Sequence, residues 1–354
     1  MKSLDINLTS NNYNIIIERD IFKNIGVEIK KIYKGSKIAI VTDKNLYALY
    51  GNKLKDILHY ENYNISFIVV DPGEMSKSME NLTYIYTKLI EFGINRGDLI
   101  LAFGGGVIGD LAGFAASTYL RGIDYIQVPT TLLAQIDSSI GGKVAINLPQ
   151  GKNLAGSFYH PKKVIIDPNF LNSLPNKFIK DGLGEIIKYA CIKNNSFFNK
   201  LLTIKSNTYF FENIEDIIYI CCNIKKEIVE KDEKDYNIRM ILNFGHTLGH
   251  AIEKYYNYER YTHGEAVSLG MYYITQKSEI HGYTQLGTAN KIKEILLNYN
   301  IDYNFPKVNM SEIIKIIHLD KKNNSGNLNL ILLNKIGDSI IKKLPVENLG
   351  KFLI

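Results

Sequence analysis

Three histidines and one glutamate have side chains that can bind a metal ion. His246 and His250 stand four residues apart, so both imidazoles can project from one face of a helix. His263 begins the next helical pattern, and Glu185 lies earlier, within Gly182-Leu-Gly-Glu-Ile-Ile-Lys188. Three nitrogen or oxygen ligands with an open position form a catalytic Zn²⁺ site. Spacing alone would pair His246 with His250, although histidines at this spacing are more often packed or surface residues.

A glycine-rich turn after an apolar run suits phosphate binding. The run Asp98–Phe103 leads into Gly104-Gly-Gly-Val-Ile-Gly109, which matches G-x-G-x-x-G between a predicted strand and a predicted helix. Glycines let the backbone approach a phosphate, and a helix N-terminus offers N–H groups to an anion. The motif alone is a weak signal. It also follows a late strand, whereas the common dinucleotide fold carries it after the first strand.

Cationic side chains form a third group that suits a small phosphorylated substrate. A lysine is usually a solvated surface residue, but several of these lie in motifs marked by Gly or Asn, such as Gly-Gly-Lys143 and Gly-Lys152-Asn153. The candidates are Arg121, Lys143, Lys152, Lys188, Lys225, Arg239 and Lys321.

Two kinds of predicted element position these residues. Before residue 175, short β-branched runs alternate with helical patterns, which is typical of a mostly parallel α/β sheet. The predicted strands are 4–9, 13–18, 37–42, 65–70, 98–103, 124–128 and 164–167, and the predicted helices are 43–58, 78–92 and 107–118.

After residue 175 the pattern is helical. The predicted helices are 177–194, 213–231, 245–257, 263–282, 288–299 and 310–319, with one late hairpin over 327–333 and 338–342. We therefore predict an α/β N-terminal domain, residues 1–175, with a mostly parallel, Rossmann-like sheet. We predict an all-helical C-terminal domain, residues 176–354, to which the late hairpin is the exception.

The bulk composition excludes several classes of protein. In 354 residues, 45% are apolar and 22% are charged, as in ordinary globular proteins. The net charge of +6 is not gathered into a basic run, which argues against nucleic-acid binding. Three cysteines offer no disulfide framework, and no apolar run approaches the ~18 residues of a membrane span. The N-terminus lacks a signal-peptide core, so the expected location is the cytoplasm.

Three segments together carry a family resemblance. Residues 104–153, Asn243-Phe-Gly-His-Thr-Leu-Gly-His250 and His263-Gly-Glu-Ala-Val267 closely resemble the 3-dehydroquinate synthase family, in the family's motif order and over nearly the whole chain. The resemblance implies a carbon–oxygen lyase of the shikimate pathway, in aromatic amino acid biosynthesis. Such an enzyme converts 3-deoxy-D-arabino-heptulosonate 7-phosphate to 3-dehydroquinate and phosphate. The steps are transient oxidation by NAD, β-elimination of phosphate, reduction, ring opening and intramolecular aldol closure.

The resemblance also implies a role for each candidate residue. Metal ligands for Zn²⁺ or Co²⁺ are Glu185, His246 and His263, which leaves His250 to handle protons. Substrate phosphate is held by Arg121, Lys152, Asn153, Lys188 and Lys321, the carboxylate by Lys225 and Arg239, and the hydroxyls by Asp137, Lys143, Asn243 and His250. NAD is bound by Asp43, Asn45, Glu74, Lys77, Gly105, Gly106, Val107, Asp110, Thr130, Thr131, Lys143, Lys152, Phe170, Leu171, Asn172, Ser173 and Asp181. In the family the residue matching Arg121 reaches the neighbouring subunit, which implies a homodimer with composite sites.

The chain departs from the family pattern at two positions that matter here. Asp235 stands where the family usually has a proton-accepting Glu, and its shorter side chain makes direct proton transfer doubtful. Gly184 replaces the more usual Ala or Ser, at a helix cost of up to ~1 kcal/mol. Two enzyme alternatives stay open: a sibling sugar-phosphate cyclase, and an NAD-dependent polyol dehydrogenase of the glycerol dehydrogenase type. The dehydrogenase would release NADH and would need no phosphate clamp.

Overall fold

A computed structural model describes residues 1–9, 11–204, 206–320 and 326–354. The predicted substrate residue Lys321 lies outside these described residues. The chain divides into two compact units. The first unit contains Met1–Leu174 and Ile214–Lys234, and the second contains Pro175–Asn213 and Asp235–Ile354.

The strands and helices have the following bounds. The strands are β1 Lys2–Ile6, β2 Tyr13–Ile17, β3 Lys37–Asp43, β4 Asn64–Val70, β5 Leu99–Gly104, β6 Asp124–Pro129, β7 Lys143–Leu148, β8 Gly151–Phe158, β9 Lys163–Ile166, β10 Asn327–Lys335 and β11 Asp338–Pro345. The helices are α1 Ile25–Lys30, α2 Lys44–Tyr60, α3 Met79–Glu91, α4 Gly106–Thr118, α5 Asn176–Lys193, α6 Asn195–Thr203, α7 Asn207–Glu212, α8 Ile214–Lys231, α9 His246–Tyr255, α10 His263–Ile280, α11 Thr288–Asn298, α12 Met310–Asp320 and α13 Leu349–Leu353.

The first unit is built on one twisted sheet with both faces covered. Over the described residues its strand order is β1-β2-β9-β6-β5-β3-β4, with β1 antiparallel to β2 and every other pairing parallel. Alternate residues of β5 enter two different cores, as a period of two requires. Leu99, Leu101 and Phe103 join the cluster that α1 and α2 cover, whereas Ile100 and Ala102 join the cluster of α3 and α4. The predicted mostly parallel α/β sheet is confirmed.

A second hairpin in this unit was not predicted. Strands β7 and β8 pair antiparallel outside the main sheet, and β8 has no fully buried residue along its length. Without a buried face, β8 lacks the alternation of apolar and polar residues by which strands are recognised. The hairpin matters because it carries the predicted site residues Lys143, Lys152 and Asn153.

Helix α8 belongs to the first unit, although the linear division placed residues 214–234 in the C-terminal domain. Its buried face includes Ile217 and Cys221. The Arg19 Nε and Glu215 Oε2 atoms lie 3.3 Å apart, and Lys2 pairs with Asp216, so the helix is also held to the N-terminal strands by charge. An amphipathic pattern predicts a buried face but not which core buries it.

The second unit consists of α5–α7, α9–α13 and the hairpin of β10 and β11. The unit is therefore not all-helical, because the late hairpin that the sequence suggested is present. Helices α6 and α7 were not predicted. Both are short and start at polar caps: the Asn194 Oδ1 accepts a hydrogen bond from the Phe197 N–H at 2.9 Å, and the Ser206 Oγ accepts one from Tyr209 at 3.2 Å. Among the described residues, no helix is both long and apolar enough to cross a membrane.

Helices α5 and α10 approach each other backbone to backbone. A Cβ atom added to Gly264 would lie 1.9 Å from the Asp181 carbonyl oxygen, and one added to Gly184 would lie 2.4 Å from the Gly264 carbonyl oxygen. A side chain at either position would separate the helices, so the close approach seen in this chain depends on glycine at both positions. Glu185 follows Gly184 in the sequence, and His263 precedes Gly264. This contact therefore also brings these two predicted ligands together.

We expect Gly264→Ala to lower the free energy of unfolding by about 3 kcal/mol, because its Cβ meets backbone atoms that cannot rotate away. The matched control is Gly350→Ala in α13, where the added Cβ lies 3.7 Å from Ile314 Cδ1, an ordinary contact. The control should retain the wild-type stability or gain up to about 1 kcal/mol. Urea unfolding followed by circular dichroism measures both variants. Equal midpoints would contradict the prediction.

Candidate active site

The glycine turn lies between a buried strand and the N-terminus of a helix. Strand β5 ends at Gly104, Gly105 is the N-cap residue of α4, and Gly106 is its first residue. A Cβ added to Gly105 would lie 2.8 Å from Cγ2 of Thr131. The backbone of Gly105, Gly106 and Val107 is half-buried, and the first N–H groups of a helix have no partner within the helix. The turn therefore fits the diphosphate of a dinucleotide.

Eight other predicted NAD residues of the first unit follow the carboxyl ends of parallel strands. Asp43 ends β3, and its Oδ1 accepts hydrogen bonds from the N–H groups of Asn45 (2.9 Å) and Leu46 (3.1 Å). Thr130 and Thr131 come directly after β6, and the 3₁₀ turn that follows β9 contains the remaining four. These four are Phe170, Leu171, Asn172 and Ser173. Parallel strands end at one edge of a sheet, where α/β proteins bind ligands.

A polar network joins predicted NAD residues to the β7–β8 hairpin. The Lys77 ammonium is buried, lies 2.6 Å from Oδ2 of Asp110, and also donates to Oδ1 of Asn153. The Asn147 amide donates to Glu74 at 2.8 Å, and its Oδ1 accepts from the Asn153 N–H at 2.9 Å. Burial raises the pKa of Asp110, and the Lys77 ammonium opposes this shift. The network places Asn153, a predicted phosphate contact, beside the predicted cofactor residues.

Two predicted substrate residues from distant parts of the chain meet in the first unit. Asp137 lies in a single π-helical turn, Ala134–Ser138, and Lys225 lies on α8 with only 6% of its surface exposed. The Lys225 ammonium donates to the Asp137 carbonyl oxygen at 2.8 Å and pairs with the Asp137 carboxylate. The sequence had assigned these two residues to different domains, so their pairing was not foreseen.

The remaining predicted cations of the first unit are more accessible. Lys143 is exposed at the start of β7, Lys152 is half-buried on β8, and Arg121 is exposed between α4 and β6. Arg121 has a φ of 69°, an uncommon backbone conformation for a residue with a side chain. The structure brings Lys143 and Lys152 together on one hairpin.

In the second unit the three histidines form one cluster with a glutamate. The nearest ring nitrogens of His246, His250 and His263 all lie within 4.8 Å of one another. Oε1 of the fully buried Glu185 lies 3.6 Å from Nε2 of His246 and 3.7 Å from Nε2 of His263. Imidazole nitrogens and a carboxylate oxygen are the ligands that Zn²⁺ and Co²⁺ accept, so these side chains fit a divalent cation.

Helix starts position the histidines. Gly245, with a φ of 80°, is the N-cap of α9, so His246 is the first residue of that helix and His250 follows one turn later. Thr262 and Glu265 form a capping box at the start of α10, which fixes the point where His263 enters the helix. Glu265 therefore has a structural role.

In His246 and His263 the second ring nitrogen also lies near an oxygen atom that can accept a hydrogen bond. The Nδ1 atom of His246 lies 3.1 Å from the Phe244 carbonyl oxygen, and Nδ1 of His263 lies 3.5 Å from Oε2 of Glu253. Burial lowers the pKa of His246, and the nearby Lys188 ammonium adds to this shift. Burial alone would also lower the pKa of His263, but the Glu253 and Glu185 carboxylates outweigh it and raise this pKa to about 9.

Glu253 was not singled out from the sequence. It stands seven residues after His246 and three after His250, which places all three on one face of α9. That spacing was the available signal. The spacing points to a role for Glu253 only when the structure shows that the start of α10, with His263, lies beside the same face.

Two predicted residues of this unit contact the region of the histidine cluster. Lys188 is buried and pairs with Oε2 of Glu185, and its implied phosphate contact stays a prediction. The Oδ1 of Asp181 accepts a hydrogen bond from the Gly264 N–H at 2.6 Å, and its implied cofactor contact stays a prediction. Burial raises the pKa of the Asp181 carboxyl. Both side chains therefore pack beside proposed metal ligands.

The segment before α9 carries the last predicted residues. Arg239 is buried and Asn243 is exposed, at two positions of the 3₁₀ turn Ile238–Asn243. Asp235 is half-buried with a φ of 61°. The turn leads directly into the histidine helix.

Solved structures share this fold. The 2-deoxy-scyllo-inosose synthase complexed with carbaglucose-6-phosphate, NAD⁺ and Co²⁺ has a TM-score of 0.89 at 24% identity, covering 99% of both chains. The 2-epi-5-epi-valiolone synthase ValA from Streptomyces hygroscopicus subsp. jinggangensis 5008, with NAD⁺ and Zn²⁺ bound, has a TM-score of 0.88 at 24% identity, covering 98% of this chain and 97% of that one. At these identities the comparison establishes the fold.

Sequence comparisons give information on the family as well as the fold. The 3-dehydroquinate synthase of Clostridium botulinum (strain Alaska E43 / Type E3) is 54% identical over 347 residues, covering 98% of this chain and 99% of that protein. The family model of the 3-dehydroquinate synthase N-terminal region matches residues 67–181, and that of the C-terminal region matches residues 182–323. The resemblance inferred from the motifs is thereby confirmed: the chain belongs to the 3-dehydroquinate synthase family.

Proposed function

We propose that this protein is a phosphate-eliminating carbon–oxygen lyase that converts 3-deoxy-D-arabino-heptulosonate 7-phosphate to 3-dehydroquinate in the shikimate pathway. The observation that carries the proposal is the cluster of Glu185 with three histidines, in a chain 54% identical to a protein of that name. The glycine turn at the edge of the parallel sheet supports NAD as the second cofactor. When bound, NAD⁺ supplies reversible hydride transfer and the divalent cation supplies Lewis acidity.

The proposed metal ligands are Glu185, His246 and His263. The Nε2 atoms of both histidines face Oε1 of Glu185, at 3.6 and 3.7 Å, while their Nδ1 atoms face other acceptors. This arrangement is typical of metal ligands, because a ligating imidazole usually donates its other N–H to a neighbouring acceptor. His250 is exposed beside them and is assigned the movement of a proton at a substrate hydroxyl.

The substrate is a polyanion, and the chain offers cations for each of its charges. Lys225 and Arg239 are assigned to the carboxylate, and Lys152, with Lys188 and Arg121, to the phosphate, whose departure as an anion they stabilise. Asp137 holds the Lys225 ammonium in place, so less side-chain entropy is lost when a substrate binds. Hydroxyl contacts are assigned to Asp137, Lys143, Asn243 and His250. Asn153 and Lys321 keep their predicted phosphate roles. Asp235, at the position of the family's proton-accepting Glu, is assigned a catalytic role in which it acts through water or orients a neighbour.

We also propose a homodimer in which Arg121 serves the partner's active site. Arg121 is exposed, and its loop holds it at a positive φ, which supports an outward-reaching role. A C2 dimer would give two equivalent composite sites. The cytoplasmic location stays a prediction.

The reaction itself gives the first test. Incubation of the protein with NAD⁺, Zn²⁺ and the heptulosonate phosphate should release one phosphate per substrate with no net gain in absorbance from NADH, because the hydride returns within each turnover. Phosphate is measured by a coupled colorimetric assay. Steady NADH formation from a simple polyol, without phosphate release, would instead identify a dehydrogenase.

Metal removal gives the second test. Chelation should abolish turnover, and added Zn²⁺ or Co²⁺ should restore it. His263→Ala should lose bound metal, whereas His250→Ala should keep about one ion per chain and lose turnover by a factor of roughly 10² to 10⁴, the usual contribution of a general acid or base. Elemental analysis of the purified variants measures the metal. Equal metal loss in both variants would mean that His250 is a ligand.

Subunit mixing tests the composite site. Arg121→Ala and Lys152→Ala should each be nearly inactive, but after subunit exchange their heterodimers have one intact site. A statistical mixture should therefore recover about a quarter of the wild-type activity. The control mixes Lys152→Ala with Lys225→Ala, which are assigned to the same subunit's site and should show no recovery. Inactive, verified heterodimers of the first pair would place Arg121 in its own subunit's site or in none.

A further inference from the structure

Glu253 is a buried carboxylate to which the proposed reaction assigns no role. Only 6% of its surface is exposed, and a buried carboxylate is costly unless a donor or a cation faces it. Its Oε2 lies 3.5 Å from Nδ1 of His263. Glu253 comes from α9 and His263 is the first residue of α10, so the contact joins the two histidine-bearing helices.

The contact determines which nitrogen of His263 is available to a metal. An acceptor at Nδ1 keeps a proton on that nitrogen, so Nε2 is the nitrogen that gives up its proton when a metal ion binds. That Nε2 lies 3.7 Å from Oε1 of Glu185. His246 is arranged in the same way, with Nδ1 3.1 Å from the Phe244 carbonyl oxygen and Nε2 3.6 Å from the same carboxylate oxygen.

The two acceptors differ in how firmly they are fixed. The Phe244 carbonyl belongs to the backbone, two residues before His246, so its position follows from the chain itself. Glu253 reaches His263 across two helices through a flexible side chain. Orientation of His263 therefore depends on a side chain that can be replaced without altering the backbone.

We infer that Glu253 is a positioning residue, which orients the His263 imidazole and directs its Nε2 to the metal ion. The inference rests on the proposed metal site. Carboxylates that hold a ligating histidine in this way also make the imidazole more basic, and their loss typically weakens metal binding 10- to 100-fold.

The test measures metal affinity without any enzymatic assay. Metal-free wild type, Glu253→Gln, Glu253→Ala and His263→Ala are titrated with Zn²⁺ in competition with a chromophoric chelator, and with Co²⁺ while its visible absorption is recorded. We expect about 10- to 100-fold weaker Zn²⁺ binding for Glu253→Ala, with an altered Co²⁺ spectrum. Glu253→Gln should fall between Ala and wild type, at least about threefold weaker, because its amide oxygen still accepts the hydrogen bond but carries no charge.

The matched control is Glu279→Gln in the same unit. The Glu279 Oε1 accepts a hydrogen bond from the Ala289 N–H of α11 at 2.7 Å, so it is also a partly buried helical carboxylate with a defined partner. Its Zn²⁺ affinity should stay within twofold of wild type. Thermal unfolding of each metal-free variant separates a loss of ligand orientation from a loss of folding, because orientation changes affinity without changing the metal-free melting temperature.

The outcomes distinguish this inference from the metal site itself. Wild-type affinity and spectrum in both Glu253 variants, with weak binding by His263→Ala, would overturn the role of Glu253 alone. If Glu253→Ala does not fold, wild-type affinity in Glu253→Gln overturns it equally. Strong Zn²⁺ binding by His263→Ala, or none by the wild type, would overturn the proposed ligand set and the inference with it.

Discussion

The backbones of α5 and α10 touch where Gly184 meets Gly264, and the cluster of Glu185 with the three histidines depends on that contact. Glu185 follows the first glycine, and His263 precedes the second. A Cβ at either glycine would overlap the carbonyl oxygen of the other helix. The family more often has Ala or Ser at the position of Gly184, and the helix penalty of ~1 kcal/mol for glycine is offset here by the close approach that it allows. One short contact thus sets the distance between a carboxylate and an imidazole.

The first unit uses a different means to gather its residues. Its parallel strands end at a common edge, so Asp43, Gly105 and Thr130 share that edge although they are far apart in sequence. The buried Lys77 ammonium then ties this edge to the β7–β8 hairpin through Asp110 and Asn153. Sheet topology places the backbone, and a few charged hydrogen bonds place the side chains.

Much of the fold was predictable because each pattern was local. Every strand of the main sheet was predicted, β1 and β2 within an alternating hairpin and the others from short β-branched runs. Most helices were predicted from a period of 3.6 residues. The β7–β8 hairpin was missed because β8 has no fully buried residue and therefore no alternating pattern to pair with β7. Helix α8 was predicted as a helix but assigned to the wrong unit, since periodicity does not identify the partner that covers a buried face. The same limit hid the pairing of Lys225 with Asp137.

The site was predictable to a different degree. Residue types and spacing indicated the histidines and the glycine turn, but the choice of Glu185 over His250 as a ligand came from family resemblance. Glu253 needed the structure, because its partner His263 comes from another helix. The spacing of Glu253 from His246 and His250 places it on their face of α9, but spacing within one helix does not identify a partner on another helix.

The path of the chain has a consequence for how the first unit is made during synthesis. The chain leaves that unit after Leu174, returns at Ile214 and leaves again after Lys234. During synthesis, residues 175–213 of the second unit are therefore made before α8. Only after that can α8 pack against β1 and β2. A nascent chain ending at residue 174 would hold all the strands of the main sheet yet lack Lys225 and the helix that carries it. Neither unit can be separated from the other by a single cut in the chain.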